Sequence, residues 1–165
     1  MIQQVNLKER VRMGPRMKSL FDADVFMHTV SRVEALRSSA PRQWGKMTPA
    51  QMLEHTARVL EMACGKGPQK QALAGKLLSW TFRGSFLGEK PFGKSSPTGP
   101  SFIIRDEPNF DATKQRLLSL MRDFHALGEE GCDGFVHSFF GRLSGVQWGE
   151  TQYKHLDHHL RQFGA

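Results

Sequence analysis

Apolar residues recur every three to four positions in several separate stretches of this chain, and turn residues fall between them. From Asp22, a candidate N-cap, Val25, Phe26, Val30, Val33 and Leu36 keep helical spacing until Ser38, Ser39 and Pro41 end the run. Thr48-Pro49-Ala50-Gln51 then carries a strong start signal, with a capping threonine, proline at the first helical position and glutamine three residues after the cap. That helix is expected to run through Met52–Ala63 and stop at Gly65-Lys66-Gly67-Pro68. A further helical stretch over about 70–87 is interrupted by Gly75 and Gly84.

Residues 88–109 are rich in glycine and proline and read as a long central loop. Phe92, Phe102, Ile103 and Ile104 lie within it, so the loop is expected to pack onto the domain. Asp111 is expected to cap a helix carrying Leu117, Leu118, Leu120, Met121 and Phe124, closed by Gly128 and Gly131. Ser144-Gly145-Val146-Gln147 opens the last helix with a second capping box, followed by Trp148, Tyr153, Leu156, Leu160 and Phe163. No segment alternates with the period of a strand. Four main helices and one accessory helix predict an all-α bundle. Residues 1–20, polar and broken by Gly14-Pro15, read as a poorly ordered N-terminal extension to a domain spanning 21–165.

Composition changes this picture little. A chain of 165 residues with 39% hydrophobic and 24% charged residues suits one globular domain. The net charge of +7 is scattered, without a sustained basic helix face, which disfavours nucleic-acid binding. Cys64 and Cys132 are far apart and read as reduced thiols that pack. No apolar run is long enough to span a bilayer and no signal peptide is apparent, so a cytoplasmic protein without membrane attachment is expected.

The histidines carry the candidate chemistry. His155 and His159 stand four apart in the last helix, on one face and close enough for their imidazoles to converge on one ion. His158 stands three from His155, so spacing alone leaves the choice between 158 and 159 open. A third ligand must come from another helix, and His55, in the middle of the second helix, is the best candidate. Histidines near a helix C-terminus also interact well with its dipole, and a lone mid-helix histidine is commonly a hydrogen-bonded core residue. Gln51, His158 and Gln162 are candidate supports for the ligands, and Trp148, with Trp44 and Phe140, a candidate pocket wall. Glu54 adjoins His55 but points about 100° away on the helix, so it is not assigned as a base.

Trp44-Gly45-Lys46-Met47-Thr48-Pro49-Ala50-Gln51-Met52-Leu53-Glu54-His55 resembles the second-helix motif of an uncharacterised branch of the DinB/YfiT-like superfamily. Phe140-Gly141-Arg142-Leu143-Ser144, Trp148-Gly149 and Tyr153–Gly164 are similar to its C-terminal signature, and Lys94–Pro100 to its central loop. The resemblance covers roughly residues 22–164. It implies a four-helix bundle in which His55, His155 and His159 bind a divalent transition metal, zinc or nickel. It also implies a homodimer, a small-molecule substrate, and a thiol-dependent transferase using a low-molecular-weight thiol, or a hydrolase. A non-enzymatic metal-binding or scaffold bundle is the alternative expectation. That alternative predicts a closed or absent metal site with no pocket beside it.

Overall fold

The computed structural model describes residues 17–67, 69–94 and 96–165. Among these residues lie five α-helices: α1 (Ala23–Ala35), α2 (Pro49–Ala63), α3 (Leu73–Leu87), α4 (Phe110–Cys132) and α5 (Gly145–Gln162). A single 3-10 turn, Pro100–Phe102, interrupts the central loop. The architecture is all-α, as the periodicity predicts. No helix among the described residues is long and apolar enough to cross a membrane.

Both capping boxes form. Thr48 Oγ1 accepts the Gln51 N–H while Gln51 Oε1 accepts the Thr48 N–H, and Ser144 and Gln147 repeat the arrangement at α5. Elsewhere the boundaries move. Asn109, and not Asp111, caps α4, because its side-chain oxygen receives the Ala112 N–H at 2.9 Å. Gly128 bends α4 through a left-handed φ of 65° but does not end it, and the helix resumes to Cys132.

The expectation of no strand is corrected by a minimal antiparallel hairpin, β1 (Val136–His137) with β2 (Gly141–Arg142). Two-residue strands are too short for alternation to register in the sequence. The turn is held from inside, since His137 Nδ1 accepts the N–H groups of Phe139 and Phe140 at 3.0 and 3.2 Å.

Helix α2 packs chiefly on α4 and also on α5, while α1 lies against both of those helices. Leu53, Leu60, Leu117, Met121, Phe124, Leu156 and Leu160 fill the space between them. Helix α3 stands apart, touching α5 and β2. Residues 1–16 of the expected N-terminal extension lie outside the described residues. Of its last residues, Ser19 and Leu20 are wholly buried, and the Leu20 N–H bonds to Gly149 O at 3.1 Å. Gly149 is required here, because a Cβ would meet Ser19 Oγ and Phe21. The packed chain therefore starts ahead of residue 21.

Candidate metal centre

His55 projects from the middle of α2, and His155 and His159 from successive turns of α5. Their ligand-capable nitrogens all lie within 4.8 Å of one another. His55 Nε2 and His155 Nε2 approach to 3.0 Å. Among the described residues these three form the one group of histidine, cysteine or carboxylate side chains with such geometry. His159, and not His158, is the residue of α5 that converges with His155 on His55.

Hydrogen-bond partners assign the tautomers. His55 Nδ1 faces the Phe102 carbonyl at 2.9 Å, and a carbonyl only accepts, so Nδ1 carries the proton and Nε2 the lone pair. Gln162 Nε2 donates to Trp44 O at 2.9 Å, which turns Gln162 Oε1 toward His159 Nδ1, also at 2.9 Å. His159 Nδ1 is thus the donor, and its Nε2 is free to ligate. His155 Nδ1 is buried and has no partner. If His155 Nε2 donates to His55, a lone pair is stranded at that Nδ1. If both Nε2 lone pairs face a shared cation, the ring proton sits on Nδ1, which is then a donor without a partner.

The electrostatics favour neutral rings, as ligation requires. Burial lowers the pKa of His55, opposed by the Phe102 carbonyl. Burial, joined by the neighbouring His159 and His55, holds His155 well below its ordinary value. Burial, with His55 beside it, pulls His159 down to about 3. Four-coordinate zinc at about 2.0–2.1 Å separates ligand nitrogens by about 3.3 Å. The 3.0 Å and 4.8 Å spans here bracket that separation. The residues present therefore fit a three-nitrogen divalent site.

A cleft of about 500 Å³ is lined by His158 and by none of the three triad histidines. Trp44, Phe92, Tyr153, Lys154, His158 and Arg161 are among its walls. His158 meets Trp44 and Phe92 edge-on, at centroid separations of 5.6 and 6.1 Å, and His159 on its other side at 5.0 Å. It therefore stands between cleft and triad. Lys154 Nζ is folded under the end of α3, donating to Ser85 O and Gly88 O at 2.8 and 2.7 Å. An ammonium at a helix C-terminus also complements the dipole there.

Two expected residues are placed elsewhere. Gln51 spends its side chain on the Thr48 cap and on Asp106 O, so it supports the start of α2 and not a histidine. Trp148 is wholly buried against His137 and donates Nε1–H to Phe135 O, which makes it core and not pocket wall. Glu54, given no catalytic role, is engaged by Arg58 and Arg116 at 2.8 and 2.6 Å. The thiols are raised by burial, Cys64 to about 11 and Cys132 to about 12, so neither is a thiolate at neutral pH. The contribution of Phe102 comes from its backbone carbonyl, for which a side-chain motif holds no signal. Phe92 and Phe102 were visible only as apolar residues in a polar loop.

No curated protein and no solved structure matches the chain. Residues 18–165 match the family described as "Protein of unknown function (DUF1569)", and the chain belongs to that family.

Proposed function

We propose that this DUF1569 member is a DinB/YfiT-like four-helix bundle holding a divalent transition metal, zinc or nickel, on His55, His155 and His159. In this reading it is a metal-dependent enzyme acting on a small molecule, by thiol-dependent transfer or by hydrolysis. The observation that carries the reading is the convergence of three imidazoles from two helices, with the Nδ1 groups of His55 and His159 tied down and their Nε2 atoms turned toward one another. A bound divalent ion would supply Lewis acidity, drawing a thiol or water toward its deprotonated form near neutral pH. Phe102 O and Gln162 hold the ring protons in place and keep both imidazoles aimed inward. Trp44 and Phe92 give a substrate an apolar wall in the cleft, with His158 between it and the triad.

One contact favours a second reading, a non-enzymatic scaffold. The 3.0 Å approach of His55 and His155 is also a satisfactory N–H···N hydrogen bond. Elemental analysis of untagged protein separates the two. About one equivalent of metal, lost in His155→Ala and bound 10–100-fold more weakly in Gln162→Ala, is expected for the metal centre. No metal after incubation with zinc and with nickel overturns it in favour of the scaffold.

A further inference from the structure

The segment 43–45 bonds twice to Gln162, the last residue of α5. The Gln43 N–H donates to Gln162 O at 2.7 Å, and Gln162 Nε2 donates to Trp44 O at 2.9 Å. Gln162 Oε1 meets His159 Nδ1 at 2.9 Å, so one buried amide joins the segment to the triad. The next residue is Gly45, at a left-handed φ of 79°. A Cβ there would lie 2.5 Å from Gln162 Nε2 and 3.7 Å from its Cδ. Among the described residues nothing else beyond its chain neighbours would come within 4 Å of that Cβ. The left-handed backbone and the missing side chain are therefore two separate demands for glycine. The second is made by the Gln162 amide alone.

We propose that Gly45 is a positioning residue for His159, because the space it leaves empty is the space in which the Gln162 amide sits. A methyl group at 45 meets the far end of a flexible side chain, so the amide turns away and the fold remains. Gln162 Nε2 then leaves Trp44 O. Oε1 is carried off His159 Nδ1 with it, since one planar group holds both atoms. A buried Nδ1–H left without an acceptor is costly, and the neutral ring relieves it by carrying its proton on Nε2 instead. In the metal-centre reading, on which this consequence rests, that proton occupies the lone pair with which His159 ligates. Trp44 belongs to both ends of the arrangement, its carbonyl holding the amide and its ring lining the cleft. Gly45 acts at one remove, touching neither ion nor substrate.

Long-range proton–nitrogen NMR of isotope-labelled, metal-free protein tests it at about pH 8, where histidine rings are neutral. Wild-type His159 should carry its proton on Nδ1. Gly45→Ala should move it to Nε2, as should Gln162→Ala, where the partner itself is gone. Gly45→Asn brings the same Cβ on a residue that tolerates a left-handed φ, and it repeats the test should alanine at 45 prevent folding. Gly128→Ala is the control, because its φ of 65° is also left-handed and a Cβ there would meet nothing within 4 Å. It should leave His159 unchanged. An Nδ1 proton retained in folded Gly45→Ala or Gly45→Asn overturns the proposal. So does an Nε2 proton in the wild type or in Gly128→Ala. Zinc affinity is a separate readout, expected to be about 10–100-fold weaker in Gly45→Ala. A wild type that binds no zinc, while Gly45→Ala still moves the proton, would end the metal centre and leave the positioning role standing.

Discussion

Helices α2 and α3 are each 15 residues long, yet they have opposite relations to the protein. Helix α2 starts in a complete capping box and buries ten residues between α4 and α5. Helix α3 starts at Ala72 without a side-chain cap and buries one. It nevertheless carries the bulkier apolar set: four leucines, two phenylalanines and a tryptophan, against two leucines, two methionines and a valine in α2. Apolar content therefore does not decide which helix enters the core. Gly75, the Lys154 ammonium and Phe86 stacked on Phe140 fasten α3 to the hairpin and to α5, and that attachment leaves Leu73, Leu77 and Leu78 outside.

The contrast predicts unequal responses to similar changes. Leu60→Ala, at a fully buried position of α2, should lower the unfolding free energy by about 2–5 kcal/mol in urea titration. Leu77→Ala on α3 should change monomer stability by less than about 0.5 kcal/mol. Equal losses would mean that α3 is buried in the folded monomer.

Acid should act next most strongly, through the α2–α5 and hairpin side. Burial lowers His137 to about 4, and its Nδ1 accepts two backbone N–H groups, so the folded form favours the neutral ring. The unfolded chain binds a proton there near pH 6.5. Stability is thus full above that value and is lost as pH falls from about 6.5 toward 4. For His137 alone the loss between pH 8 and pH 5 is about 2 kcal/mol. His159, at about 3, adds in the same direction in metal-free protein. A urea midpoint independent of pH between 8 and 5, or a pH dependence replicated in His137→Gln, would contradict this assignment.

Capping changes should be smaller. Thr48→Ala removes the side-chain half of the α2 box and should cost about 1 kcal/mol. Ala72→Asp gives α3 the cap it lacks and places a carboxylate at its positive end, for a gain of about 0.5–1 kcal/mol. Amide exchange would report the second effect as slower opening of the first turn of α3.

The parts of the fold legible from the chain were those written in local chemistry. Thr48-Pro49-Ala50-Gln51 and Ser144-Gly145-Val146-Gln147 start helices because their partners are three residues away, and the structure contains both boxes. The four-residue interval between His155 and His159 likewise sets their shared face. Longer-range facts were not legible. Trp148 could equally have faced a cleft, and only its packing on His137 decides otherwise. Gln51 had two competing uses within reach, and the cap took it. The Phe102 carbonyl belongs to backbone 47 residues from His55, where no side chain announces it. Nor could periodicity reveal which way α3 faces, because a seam on the outside has the same spacing as one on the inside.

His55 and His155 meet at their Nε2 atoms across 100 residues of chain. A ribosome adding about 5–20 residues per second makes His155 about 5–20 s after His55. During that interval α2 can be complete while Leu156 and Leu160, which share its core, do not yet exist. A nascent chain that pauses before Gly145 presents one histidine of the three. Whatever the triad binds, it can be captured only after α5 has been synthesised and docked.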